Sequence, residues 1–392
     1  MTTRLLVVQT HFIQYFAPLY RELARRPGID LTVAYATDLG MREGLDRQFG
    51  KRVKWDVSLT DGYHWVVMPE HPGVDSVPGG LRRRNWSVRN LVAGADVVLI
   101  SSFLSVTDQI AAWTAWKRRK PLLYRSESTL LPPLGNWSRR AARAVALPLF
   151  YGGVSAAIYI GEQNRRQLRR FGIPEERLHF GPYAVDNDLF ISRAGELAPH
   201  REVLRAQFGL ESELPVVLFV GKLIPKKQPL LLLEAFAHLQ ATLPSQLLVV
   251  GDGELRSRME RRIAEAQIPR VHLAGFLNQS RIGEGYAVAD VLVLPSVRDE
   301  TWGLVMNEAM CFGLPVVASD RVGGALDLVR EGETGSTFHF DDVNGLVEAM
   351  RRVLPIEERR RLMGEAARRL IDRYSVQASA DGIVSALEAV RR

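Results

Sequence analysis

Short apolar runs rich in β-branched residues alternate with helix-length amphipathic segments along almost the whole chain, and near residue 215 the alternation starts afresh. That rhythm is the signature of parallel sheets flanked by helices. Strand candidates in the first half are LLVVQT (5–10), DLTVAYA (30–36), DVVLIS (96–101), PLLYRS (121–126), AAIYI (156–160) and RLHFG (177–181); in the second they are PVVLFVGK (215–222), QLLVVGDG (246–253), VHLAGF (271–276), DVLVLPS (290–296) and LPVVASD (314–320). A chain of 392 residues is too long for one ordinary core and suits two. The expected fold class is therefore α/β, with two doubly wound, Rossmann-like domains facing each other across a cleft. We expect domains at 1–190 and 200–375, a link through the polar stretch DNDLFISRAGELAPH at 186–200, and a last helix, about 376–392, packed back on the first domain.

Composition removes several classes. The single cysteine, Cys311, excludes a disulfide framework, and no Cys/His spacing suits zinc. A reducing cytoplasm is the expected compartment. The chain opens on LLVVQ, which reads as a strand and not a signal peptide. The longest uncharged stretch, Ala144–Gly161, reaches membrane-span length, but Pro148 and Gly152-Gly153 interrupt it, so no transmembrane helix is expected. Residues 1–193 hold 27 Lys/Arg against 17 Asp/Glu, whereas residues 194–392 hold 24 against 27. The basic surplus thus lies in the first half. No zinc finger or aromatic–basic repeat supports nucleic acid as its partner. Clusters mixing arginine and tryptophan (LRRRNW at 81–86, WTAWKRRK at 113–120, NWSRRAAR at 136–143) suggest instead an anionic membrane surface, or else a solvated basic face.

Ligands of open parallel sheets bind beyond the carboxyl ends of the strands, and the strongest motifs fall there. In PSVRDETWGLVMNEAMCFGLPVVASDRVGG (295–324), Glu300 stands in a loop and Gly303 permits a close turn. A helix from about Leu304 carries Glu308 in its second turn, near backbone N–H groups that favour an anion or a polarised hydroxyl. Two carboxylates so spaced can hold two ends of one ligand, or can be merely structural. In VGKLIPKKQPLLLLEAF (220–236) a strand ends at Gly221, and the loop carries Lys222, Lys226 and Lys227 ahead of a helix. Such lysines are placed to neutralise a diphosphate, or else form a solvated basic loop. VVGDGELR (249–256) looks like a phosphate-cradling turn, and Gly323-Gly324 like a second close approach of backbone to ligand.

Taken in order, VGK with its lysine loop, GDGELR, HLAGF, YAVADVLVLPS, ETWGLVMNEAMCFGLPVVASD and GG resemble the retaining family-4 glycosyltransferases over most of residues 215–340. The resemblance implies a GT-B fold and transfer of a sugar from a nucleoside-diphosphate sugar to a hydroxyl acceptor, with the acceptor on the N-terminal domain and no metal cofactor. Carried over by position, Lys222 and Lys227 face the donor diphosphate, with Lys222 where an arginine is usual. Glu308 holds the ribose and Glu300 reaches the transferred sugar. The backbone of Trp302, Gly303 and Leu304 lies against that sugar, Gly275 and Phe276 lie under the base, and Gly221 belongs to the donor loop. The first half resembles the family less: QTHFIQYFAP lacks the paired glycines, and Arg125-Ser126-Glu127 stands where a histidine is common. Glu127 is carried as a catalytic candidate and His11 as a weaker one.

Asp186-Asn187-Asp188 has the Asp-x-Asp form that binds manganese in another glycosyltransferase fold, but it lies far from the lysines and reads as a structural turn. The rivals are a sugar-nucleotide epimerase or hydrolase of the same fold, and a catalytically silent sugar-nucleotide-binding protein. The expected setting is synthesis of cell-surface glycan, polysaccharide or glycolipid, peripheral to the inner face of the membrane, with an acceptor that is lipid-linked or otherwise near it.

Overall fold

The computed structural model describes residues 2–46, 51–71, 83–129, 137–298 and 300–391, and they form two compact units. One comprises the chain up to Asp46, Arg52–Ala184 and the segment from Ser375; the other runs Val185–Tyr374.

The first unit is built from β1 (Thr3–Gln9), α1 (Ala17–Arg25), β2 (Ile29–Tyr35), the short pair β3 (Gly44–Asp46) and β4 (Lys51–Val53), β5 (His64–Val67), α2 (Val88–Gly94), β6 (Val97–Ile100), α3 (Val106–Lys117), β7 (Leu122–Arg125), α4 (Trp137–Gly152), β8 (Ala156–Tyr159), α5 (Glu162–Arg170) and β9 (Leu178–Phe180). Its parallel sheet has the order β5-β2-β1-β6-β7-β8-β9. The central strands are buried on both faces, so they read as continuous apolar runs rather than alternating ones. Val88, Ala111, Leu147 and Leu168 of the helices α2 to α5 join one core with Leu6, Val8 and Ile100. The Ala144–Gly161 stretch divides between the end of α4 and β8, and among the described residues no helix is long and apolar enough to cross a membrane.

The second unit continues with α6 (Asn187–Leu197), α7 (Arg201–Gln207), β10 (Val216–Val220), α8 (Pro229–Gln240), β11 (Gln246–Val250), α9 (Arg256–Glu265), β12 (Val271–Gly275), α10 (Ile282–Val288), β13 (Val291–Leu294), α11 (Leu304–Cys311), β14 (Val316–Ser319), α12 (Ala325–Leu328), β15 (Gly335–Phe338), α13 (Val343–Val353) and α14 (Glu357–Ile371). The sheet is again parallel, in the order β12-β11-β10-β13-β14-β15. The chain winds outward from β10 on one side and from β13 on the other, so the strand order reverses between them. Such a reversal opens a crevice at the strands' carboxyl ends. Helix α15 (Val376–Arg391) returns to the first unit, where it packs on α1, β8 and β9.

Two features differ from the sequence reading. Residues 186–200 form no loose linker. Asp186 caps α6 by accepting from the Leu189 N–H at 3.2 Å, and Arg193 donates to the carbonyls of Gln279 (2.6 Å) and Ser280 (2.9 Å), so the stretch is an integral part of the second unit. The edge strands β5 and β15 were not foreseen, because the apolar run in HWVV is only three residues long and GSTF is mostly small and polar. Of the basic clusters, Leu81, Arg82 and Asn136 lie outside the described residues, as do the side chains of Trp137–Ala142.

Candidate functional site

The crevice between β10 and β13 gathers most of the residues singled out from sequence. Beyond β10, Gly221 and Lys222 lead into a single 3-10 turn at Pro225–Lys227, and Gln228, in the left-handed region at φ 54°, opens α8. Beyond β13, residues 295–298 and 300–303 belong to the facing loop. The two loops are joined: the Val297 N–H donates to the Lys226 carbonyl at 2.9 Å, and the Lys227 ammonium forms an ion pair with Glu300 Oε2. Ser296 Oγ donates to the same carboxylate oxygen at 3.0 Å. Side chains of both ion partners are about 15% exposed, so the pair borders solvent without being flooded by it. An ion pair in such surroundings gains little over its desolvation cost, which leaves it free to exchange partners with a charged ligand. Lys222, on the same loop as Lys227, is half-buried, and its carbonyl accepts from the Ile224 N–H at 2.9 Å.

Glu308 lies in the second turn of α11 and is 2% exposed. Its Oε2 accepts from the hydroxyl of the fully buried Tyr286, on α10, at 2.5 Å. No side chain caps α11; Gly303 begins it at φ +95°, where a Cβ would stand 2.8 Å from Leu294 Cδ2. Leu304, half-buried, is its first residue. The Trp302 ring is buried, donates to Asn307 Oδ1 at 2.8 Å and lies 5.7 Å from the Tyr374 ring. It anchors the loop from beneath, so at this position the backbone is what a ligand can meet.

The glycine turns pack against protein backbone. A Cβ on Gly251 would overlap the Gly221 carbonyl oxygen, and the Gly251 N–H donates to the Gly275 carbonyl at 2.8 Å. GDG thus includes a backbone-on-backbone contact linking the ends of β10, β11 and β12. Likewise a Cβ on Gly323 would overlap the Thr301 carbonyl, and the N–H groups of Gly323 and Gly324 donate to the carbonyls of Glu300 (2.9 Å) and Trp302 (3.0 Å). These two glycines hold the Glu300 loop in place. Phe276, half-buried, follows Gly275, which has φ +77°. Tyr286, Ser296 and Asn307 were missed: only their polar groups amid apolar surroundings could have marked them, and nothing local says which carboxylate or ring each meets.

Glu127 and His11 belong to the other unit and stand beyond the ends of β7 and β1. Glu127 hydrogen-bonds the Tyr183 hydroxyl, and burial with this neighbouring charge pushes that phenol well up. The adjacent Arg125 is buried between the rings of Phe16 and Tyr183, each 5.6 Å away, and donates to the Pro182 carbonyl and Ser379 Oγ at 3.3 Å, which ties α15 to the sheet. Burial holds the His11 imidazole down at about 4, so it is neutral at pH 7 and shares a 2.8 Å hydrogen bond with Thr10 Oγ1. Asp186, as the α6 cap, has a structural role, and among the described residues no three His, Cys, Asp or Glu side chains cluster as a metal site would require.

Comparison with known proteins agrees with this geometry. Residues 7–184 match the glycosyl transferase 4-like domain, and residues 200–370 match glycosyl transferases group 1. Anabaena Alr3699/HepE, solved in complex with UDP, superposes with a TM-score of 0.73 at 19% identity, over 98% of this chain and 100% of that one. Two parallel-sheet α/β units with the crevice described define the GT-B glycosyltransferase fold. D-inositol 3-phosphate glycosyltransferase 2 of Catenulispora acidiphila is 30% identical over 302 residues, 72% of this chain and 68% of the relative. The sulfoquinovosyl transferase SQD2 of Arabidopsis thaliana is 36% identical over 173 residues, 43% of this chain and 32% of the relative. Among its curated relatives the chain spans from about a third to about two thirds of their length. The chain belongs to the group 1, family-4-like glycosyltransferases.

Proposed function

We propose that the chain transfers a glycosyl group from a nucleoside-diphosphate sugar to a hydroxyl acceptor, with retention at the anomeric carbon. The observation that carries the reading is the Lys227–Glu300 pair at the β10/β13 reversal. A cation and a carboxylate in contact can serve adjacent parts of one ligand, the ammonium moving to the diphosphate as the carboxylate turns to sugar hydroxyls. Glu308, held by Tyr286, takes the ribose hydroxyls. As the bond from the anomeric carbon to the diphosphate oxygen breaks, negative charge grows on the departing diphosphate, while the acceptor oxygen bonds the anomeric carbon on the same face and gives up its proton to the leaving diphosphate. Lys222, Lys227 and the uncapped start of α11 then stabilise it, without recourse to a metal. Glu127, at the end of β7, is assigned to the acceptor side. The acceptor is a hydroxyl compound of glycan, polysaccharide or glycolipid synthesis, met at the cytoplasmic face of the membrane.

Thermal shift across UDP-, GDP- and ADP-sugars tests the donor, with UDP-sugars first. A ligand at a hundred times its dissociation constant adds about 2.7 kcal/mol of stability. Product analysis with candidate acceptors then separates transfer from mere release or rearrangement of the sugar. No shift with any nucleotide sugar would overturn the proposal.

A further inference from the structure

Helices α2, α3 and α4 cover one face of the first unit's sheet, with Val92, Ala112 and Leu147 turned into the core. Their outward side is apolar and basic. On α4, Val145 is 65% and Leu149 77% exposed, and Ala144, Ala146 and Pro148 are exposed with them. A helix packed on a sheet ordinarily turns polar residues outward at such positions. On α3, Trp113 is half exposed, the Lys117 ammonium stands 5.2 Å from its ring, and the Arg89 guanidinium of α2 lies 5.5 Å from that ring and 4.3 Å from the ring of Trp86. Trp116 joins the two parts, since its indole N–H donates to the Gly153 carbonyl just past α4 at 2.6 Å.

The acidic residues near this side are few and engaged: Glu70, at the start of α2, accepts from the Ser87 N–H at 2.5 Å and from its hydroxyl at 2.8 Å. Between Arg83 and Gly161 the chain has only Asp96, Asp108 and Glu127. Asp96 pairs with Arg4 at 2.6 Å, Asp108 is buried, and Glu127 bonds Tyr183.

We propose that this side of the first unit seats on an anionic lipid bilayer, with Val145 and Leu149 entering the acyl boundary and Trp86 and Trp113 at headgroup level. Exposed apolar side chains on α4, joined through Trp116 to the cations and tryptophans of α2 and α3, match both layers of such a surface. An acidic soluble partner would meet the cations but leave Val145 and Leu149 in water. A second copy would set like charges against each other. The inference rests on the proposed function only for the acceptor that the membrane would present, and it is tested with neither donor nor acceptor, so the two can fail separately.

The test is flotation of the full chain with vesicles of phosphatidylcholine, alone or with added phosphatidylglycerol. The protein floats with the anionic vesicles at low salt, is released as salt rises above physiological strength, and ignores the neutral ones. Each basic residue near such a surface contributes about fivefold in affinity, so Arg89→Glu with Lys117→Glu weakens binding roughly 20-fold or more. Val145→Asp with Leu149→Asp weakens it about tenfold or more through lost apolar burial. All four positions are at the surface, and an unchanged thermal midpoint by circular dichroism confirms that the variants fold. Quenching of tryptophan fluorescence by brominated lipid reports the insertion independently. Equal flotation with neutral vesicles, no flotation at low salt, or variants that bind as the parent does would overturn the proposal. A concentration-dependent dimer that Leu149→Asp dissolves, without flotation, would also overturn it and assign the face to a second copy.

Discussion

The two units reverse strand order in the same way but finish the crevice differently. In the second unit, the loops after β10 and β13 offer partly exposed charges, Lys227 and Glu300, each held by only a few bonds. In the first, the ends of β1 and β6 close over a sealed polar network. Gln9 donates to the Tyr20 hydroxyl at 2.6 Å, Ser101 Oγ to Gln9 Oε1 at 3.3 Å, and the Ser101 N–H to the fully buried Asp108 at 3.3 Å. The contrast separates two tasks. Charges at the second crevice can exchange partners with a ligand, whereas those beneath the first crevice shape it.

The largest effect that would break this contrast concerns the charged groups of the second crevice. Lys227→Ala and Glu308→Ala should each cut sugar transfer tens- to thousands-fold, a loss of about 2–4 kcal/mol of charge stabilisation, with the fold intact. Near-normal rates in a folded Lys227→Ala protein would remove that residue from the site.

Backbone packing supplies the next comparison. Gly251→Ala forces a Cβ into the Gly221 carbonyl at φ +146° and should cost about 1–3 kcal/mol in chemical denaturation. Gly94, at the end of α2, has open space around it, so Gly94→Ala should change stability by no more than about 1 kcal/mol, towards stabilisation. Equal effects would mean that the three strand-end loops are not packed as described.

The buried network carries a pH signature. Burial pushes the Asp108 carboxyl up to about 7 from the ordinary carboxylate range. The folded state then favours the neutral form, so stability is highest below the unfolded value near 4, falls as pH rises from there to about 7, and stays level above. Asp108→Asn keeps the neutral shape and should raise stability by about 1–3 kcal/mol at alkaline pH while leaving acid stability nearly unchanged. A variant with the parent's slope between those limits would show that Asp108 does not titrate there.

The smallest expected effects separate Asp186 from the site. Asp186→Ala should cost about 1 kcal/mol of stability as a lost helix cap, with transfer rates little altered. Excess chelator should leave the rate unchanged, and abolition by EDTA with rescue by manganese would make the Asp-Asn-Asp segment a candidate ligand again.

Much of this architecture was legible in the residues. Strands buried on both faces, such as VVLFV at β10, are nearly all apolar, and Pro229–Gln240 announced its helix with a proline at the first position. The edge strands β5 and β15 escaped because one has an apolar run of only three residues and the other is mostly small and polar. Local sequence therefore determined the alternation of strand and helix, the two-unit plan and the residue types at the strand ends. Tertiary structure alone decided that Lys227 meets Glu300 across 73 residues, that Tyr286 holds Glu308, and that Gly251 and Gly323 lie against protein carbonyls. The reason is physical: a propensity is summed over neighbours in the chain, whereas an ion pair, a buried hydrogen bond or a Cβ overlap depends on which strand ends the winding of the sheet brings side by side.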